Sequence, residues 1–169
     1  ATHMALQWDA LATENTKVML AAQHELLQKP YGTSWITYTR CHDDIGLGYD
    51  DYMIEQAGFN SYEHRKFMKD YYSGMHEGSP AKGALFSVNP KTQDARISGT
   101  LASLCGLEKA LDEQHPYDIE LSIRKIILMQ AHSFFLGGVP MLFYGDEEGY
   151  INDYSYLHDP GKSYDNRWM

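Results

Sequence analysis

Two clusters of ionisable side chains stand out by their position. His42, Asp43 and Asp44 follow the β-branched and aromatic run Trp35-Ile36-Thr37-Tyr38-Thr39, and Asp146, Glu147 and Glu148 follow the apolar run Val139-Pro140-Met141-Leu142-Phe143-Tyr144. Three chemistries suit the first cluster. A His-Asp pair with Asp44 as third donor can bind a metal ion, although such pairs sit on helices and His24, His64 and His132 have no ligand spacing. A histidine donor beside a carboxylate can instead hold sugar hydroxyls and stabilise an oxocarbenium-like transition state. The plainest alternative is a salt bridge to Arg40. For the second cluster, capping of a following turn competes with a functional role, because acidic residues also favour helix starts.

Both runs before the clusters read as strands, and a long helix-containing connection between them makes a parallel arrangement the expectation. In parallel α/β folds, ligands gather where strands end, because loops there vary without disturbing the packed sheet. The elements expected around them are a helix over 6–28, with Leu11, Val18, Ala22 and Leu26 near helical spacing and Pro30-Tyr31-Gly32 as its stop, and a second over 117–136 ended by Gly137-Gly138. Between 45 and 115 glycines and prolines break the chain into short pieces. There Ser61 is placed to cap a helix running to Tyr72, 85–88 and 95–98 flank the turn Asn89-Pro90-Lys91-Thr92, and Leu101, Leu104, Leu107 and Leu111 mark one helix over 100–111. The tail from Tyr150 to Met169 has no clear period. Ala1 to Met4 read as a cloning remnant outside the fold. Trp8, Trp35 and Phe143 are core candidates.

The chain has 169 residues, with 43% hydrophobic and 22% charged, which is ordinary for one globular domain or a piece of a larger one. Fourteen Lys and Arg against 23 Asp and Glu leave a formal charge of -9, so a nucleic-acid partner is not expected. No apolar run reaches the roughly 18 to 20 residues of a membrane span, and no membrane partner is expected. Cys41 and Cys105 are expected to be reduced, in the cytoplasm.

Arg40-Cys41-His42-Asp43-Asp44-Ile45-Gly46 resembles the fourth signature of the α-amylase superfamily, glycoside hydrolase family 13, in the form found in amylosucrases. Ser73-Gly74, Gly78-Ser79-Pro80-Ala81-Lys82-Gly83 and the run Arg96 to Leu107 resemble the amylosucrase insertion after barrel strand seven. Gly138 to Glu147 is similar to the eighth strand, and Asp165-Asn166-Arg167-Trp168 to the segment beyond it. The resemblance implies an α/β fold, the last part of a (β/α)8 TIM barrel: residues 5–44 and 116–169 form strands seven and eight with their helices, and 45–115 a largely helical insertion.

The resemblance also implies roles. His42 hydrogen-bonds the glucosyl ring, Asp43 is the transition-state-stabilising carboxylate, Asp44 and Arg96 contact the adjoining fructosyl or acceptor unit, and Arg167 closes the pocket through an acidic residue far upstream. Cys41 stands where amylosucrases usually carry Ser. Sucrose, glucose units or an α-glucan are the implied ligands, with no cofactor and no metal. The family's nucleophile and acid/base, roughly 5 Å apart in retaining enzymes, come from strands four and five. No segment here matches those motifs, so the chain reads as about the last quarter of a barrel, expected to be inactive alone. A non-catalytic sugar- or protein-binding module and a sucrose hydrolase or α-amylase parent are the alternatives. Uncovered strands would favour self-association, or pairing of the two strands with each other.

Overall fold

The computed structural model describes residues 2–169, apart from the side chain of Leu26. In chain order the elements are α1 (Thr2–Thr13), α2 (Lys17–Leu26), β1 (Ile36–Thr37), β2 (Ile45–Gly46), α3 (Asp51–Gln56) and α4 (Ser61–Tyr72). There follow β3 (Ala84–Phe86), β4 (Arg96–Ser98), α5 (Leu101–Leu104), α6 (Leu107–Asp112), α7 (Pro116–Phe135) and β5 (Val139–Pro140). Three short 3-10 turns follow, Asp146–Glu148 just after β5 and Ser155–His158 and Asn166–Trp168 in the tail. No helix among the described residues is long and apolar enough to cross a membrane.

Several boundaries depart from the periodicity. The single helix expected over 6–28 is two, because Thr13-Glu14-Asn15-Thr16 offers the backbone side-chain partners that compete with helix bonds. Thr13 Oγ1 donates to the Asp9 carbonyl at 2.8 Å, Asn15 Oδ1 accepts from the Lys17 amide at 2.9 Å, and Glu14 takes a φ of 51°. Thr2–Met4 belong to α1 and Met4 is buried, so these residues are not outside the fold, while Ala1 lies beyond the described residues. Of the expected stripe, Val18 and Ala22 are buried and Leu11 packs against the core, whereas Leu26 has no described side chain. Asn60, not Ser61, caps α4, its Oδ1 accepting from the Glu63 amide at 3.0 Å. The helix expected over 100–111 breaks at Gly106, whose φ is 101° and where a Cβ would lie 2.7 Å from Pro80 Cβ.

Strands β1 and β5 pair in parallel, with Ile36 opposite Val139 and Thr37 opposite Pro140. The Val139 amide donates to the Trp35 carbonyl and the Met141 amide to the Thr37 carbonyl, both at 2.8 Å. Both strands are shorter than the apolar runs that contain them. Among the described residues each pairs with the other alone, and Pro140 brings no N–H to the ladder. A parallel pair joined through a helix-containing crossover is the smallest unit of an α/β sheet; among the described residues no third strand pairs with either of them. The segment 45–115 holds four helices and also a three-stranded antiparallel sheet in the order β2-β4-β3. Its β3–β4 hairpin closes as expected around Asn89-Pro90, with Asn89 Oδ1 accepting from the Lys91 amide at 2.9 Å.

One core joins this segment to the N-terminal helix. Trp8, Leu6, Ile54, Met68, Tyr72, Ile97, Leu101 and Leu104 are fully buried in it. The Trp8 ring stands edge-on to Tyr72, with centroids 5.4 Å apart, and the Tyr72 hydroxyl donates to the Trp8 carbonyl. Trp8 Nε1 in turn donates to the Thr39 carbonyl at 2.8 Å, fixing the chain just beyond β1. Of the other aromatic core candidates, Trp35 is exposed and Phe143 only partly buried. With a single short strand beside it, β1 has no layer to cover Trp35.

Candidate functional site

The site residues hang on three supports. The first is the end of β1, where Thr37 Oγ1 donates to the Ser133 carbonyl of α7 at 2.8 Å and Trp8 holds Thr39. Arg40 follows. Its guanidinium lies 5.0 Å from the Phe143 ring centroid, donates to the Cys41 carbonyl at 3.0 Å and comes within 4.0 Å of Asp146 Oδ1. Arg40 therefore ties the end of β1 to the loop after β5, and its carboxylate partner is Asp146 rather than any of the acidic residues next to it. Glu147 Oε2 accepts from the Gly145 amide at 2.8 Å, so this residue closes its own turn as the capping alternative expects.

The second support is the β2–β4 register. Gly46 stands opposite Arg96, which brings Arg96 beside Asp44, two residues ahead of Gly46. Arg96 Nη1 and Asp44 Oδ2 are 3.4 Å apart, with the aspartate side chain nearly covered and the arginine 59% exposed. The third support is the last 3-10 turn. Asn166 Nδ2 donates to the Leu85 carbonyl of β3 at 3.1 Å, which holds the turn against the same sheet. Arg167 then reaches Asp43, with Nη1 to Oδ1 at 3.0 Å, while Asp165 takes its Nε and Nη2 at 2.9 and 2.7 Å.

Sequence positions 42–44, 96 and 165–167 thus meet on one surface. His42 is 79% exposed and its Nε2 lies 3.7 Å from Asp43 Oδ2. The hydrogen bonds that the guanidinium donates to Asp165 and then to Asp43 raise the Arg167 pKa above that of a free guanidinium. The pair is open to water, so it orients Asp43 more than it stabilises the fold. The resemblance assigns Arg167 an acidic partner far upstream; its partners here are Asp43 and Asp165. Sequence reasoning passed over Asp165, although an acid two positions before Arg167 was a signal. Arg40–Asp146 escaped because nothing in the spacing joins residues so far apart.

The surface offers a cation, two carboxylates and an exposed imidazole around the Asp43 oxygens. Such a set can donate to and accept from neutral hydroxyls. Among the described residues no three His, Cys, Asp or Glu side chains stand close enough to hold a metal ion. Two concavities of about 310 and 320 Å³ lie elsewhere, one between α6 and α7 and one beside Phe59, His64 and Phe67.

Asp146 gives this region a pH signature. Burial pushes its carboxyl up to about 6, with the Arg40 cation opposing and Glu147 adding to the rise. An unfolded aspartate titrates near 3.8. Between these values the folded chain holds the extra proton, so the stability contributed by this group is full below the lower value and is lost as pH rises through about 6. Urea midpoints followed across that window should fall with rising pH by less in Asp146→Asn than in the unsubstituted chain. Identical profiles would contradict the burial of a charged Asp146.

No family model matches the chain.

Proposed function

We propose that the chain carries part of a retaining glucosyl active site of the amylosucrase kind, in which His42 and Asp43 bind the glucosyl ring and Asp43 stabilises the oxocarbenium-like transition state. The observation that carries this reading is the meeting of Asp43 with Arg167 and of Asp44 with Arg96, residues drawn from three distant segments. These are the residues that the resemblance singles out, and the core and the sheet register hold them together. The parallel β1–β5 pair with the site at its C-terminal ends agrees with strands seven and eight of a (β/α)8 barrel. Asp44 and Arg96 then face the fructosyl or acceptor unit, and Arg167 holds Asp43 in place. The substrate is sucrose or an α-glucan, a neutral ligand suited to an acidic protein, with no cofactor required. Two unpaired thiols agree with a cytoplasmic location.

Bond cleavage needs a nucleophile and an acid/base that no segment of this chain resembles, so the isolated chain binds without turning over. Fused to the first six β/α units of an amylosucrase, it is expected to restore fructose release from sucrose. Asp43→Asn in that chimera is expected to cut the rate roughly a hundred- to a thousandfold. Release of maltose from starch without action on sucrose would move the assignment to the α-amylase branch. An active chimera indifferent to Asp43→Asn would overturn the role of the pair.

A further inference from the structure

The segment that carries His42 and Asp43 has almost no backbone support of its own. Strand β1 ends at Thr37 and β2 begins at Ile45. Trp8 holds the Thr39 carbonyl at 2.8 Å. Beyond it, among the described residues, the backbone of residues 40–43 takes part in a single hydrogen bond, and Arg40 makes it: Nη2 donates to the Cys41 carbonyl at 3.0 Å. That carbonyl belongs to the peptide whose nitrogen is His42. Fixing its orientation sets the direction in which the His42 and Asp43 side chains leave the chain. The side chains themselves add little, since that of His42 is 79% exposed and the Asp43–Arg167 contact is open to water.

The guanidinium that grips this peptide is fixed in turn by the loop after β5. It lies 5.0 Å from the Phe143 ring centroid and 4.0 Å from Asp146 Oδ1, and both charged side chains are largely buried. The turn that presents Asp146 is braced: Glu147 accepts from the Gly145 amide at 2.8 Å, the Asp146 amide donates to the Phe143 carbonyl at 3.1 Å, and the Asp146 carbonyl accepts from the Gly149 amide at 3.2 Å. As a stabiliser the pair is poor. Its charges stop 4.0 Å apart, and among the described residues Arg40 Nε and Asp146 Oδ2 are buried with no hydrogen-bond partner, which costs stability. Buried polar groups left in this state call for a reason other than packing. The bond from Arg40 to Cys41 supplies one, because groups that bind or react must be held to within about 0.5 Å.

We propose that Arg40 is the positioning residue of the candidate site: seated between Phe143 and Asp146, its guanidinium fixes the Cys41–His42 peptide and with it the placement of His42 and Asp43. The benefit to sugar chemistry rests on the glucosyl reading of those two residues; the positioning itself does not. A planar fork can lie on the ring, face the carboxylate and reach the carbonyl at once, and an ammonium cannot. Nitrogen-15 relaxation of the chain tests this. In the unsubstituted chain the His42 and Asp43 amides and the Arg40 Nε–H should show order parameters of about 0.85, as rigid groups do, and in Arg40→Lys the two amides should fall below about 0.6. The helix signal and the order of the Trp8 and Ile97 amides should not change, and Arg124→Lys, on exposed α7 surface, should leave residues 42 and 43 rigid. A folded Arg40→Lys chain with His42 and Asp43 as rigid as before would overturn the proposal. Should that variant not fold, the unsubstituted chain decides: a rigid guanidinium with rigid 42 and 43 supports the role, and rigidity in only one of the two, or in neither, refutes it. No sugar enters this measurement, so a chain that takes no sucrose would remove the glucosyl reading and leave the positioning result standing.

Discussion

Asp9→Ala is expected to remove a large part of the stability of the fold. Asp9 is 1% exposed, and one of its carboxylate oxygens accepts from the Tyr49 hydroxyl at 2.6 Å and meets His64 Nε2 at 2.5 Å. The three residues come from α1, the β2–α3 connection and α4, so the carboxylate fastens together elements that the apolar core only presses together. Burial and the neighbouring carboxylate hold the Tyr49 phenol well above its usual pKa, so it donates throughout the accessible pH range. Truncation leaves both partners in the core with nothing to accept from them. The loss of one partner from a buried charged network typically costs about 3–5 kcal/mol, set against roughly 5–15 kcal/mol for a whole domain. Urea unfolding followed by circular dichroism measures it, and a loss below about 1 kcal/mol would show that the cluster is incidental.

Arg65 should be nearly as sensitive, and Lys should not replace it. Its side chain is 8% exposed, and every nitrogen is used: Nε on Asp51 Oδ1 at 2.7 Å, Nη2 on the Tyr49 carbonyl at 2.6 Å, and Nη1 on the Leu47 carbonyl at 3.1 Å and Asp94 Oδ1 at 3.4 Å. The guanidinium also lies 5.4 Å from the Tyr49 ring centroid. It is the planar fork that satisfies a loop, a helix start and a hairpin at once, and an ammonium reaches fewer of these acceptors. Arg65→Ala is expected to cost about 3–5 kcal/mol and Arg65→Lys more than half of that. Because Asp9 and Arg65 both act on Tyr49, the double variant should cost less than the sum of the singles. Additive losses would show two independent supports. Equal stability of Arg65→Lys and the unsubstituted chain would show that charge alone matters.

Periodicity carried the long elements and failed at their interruptions. Helix α7, helix α4 and the β3–β4 hairpin lie where apolar spacing, Asn-Pro and Gly-Gly put them, because each is long or bounded by residues with fixed backbone preferences. The break at Glu14 and the break at Gly106 are local events inside an uninterrupted apolar stripe. In the first, a threonine and an asparagine compete for backbone groups; in the second, close approach of Pro80 demands a glycine. The strands were overread because an apolar run gives the length of what can be buried, whereas strand length also needs hydrogen-bonding neighbours. For the site, His42, Asp43 and Asp44 were legible from their place after a strand, and Arg96 and Arg167 from the resemblance alone. That Arg167 would rest on Asp43, and Arg40 on Asp146, depends on tertiary distances that no spacing encodes. Nor did composition disclose the Asp9–His64–Tyr49 cluster, whose members lie 40 and 55 residues apart from Asp9.

The most direct test of sugar recognition is an amide chemical-shift titration of the chain with sucrose and with maltose. Shifts are expected at residues 42–44, 96 and 165–167, saturating with sugar and abolished by Asp43→Asn in a chain that keeps its folded spectrum. Saturable shifts confined to the concavity at Phe59, His64 and Phe67, or no shifts with either sugar, would contradict a glucosyl site at His42 and Asp43.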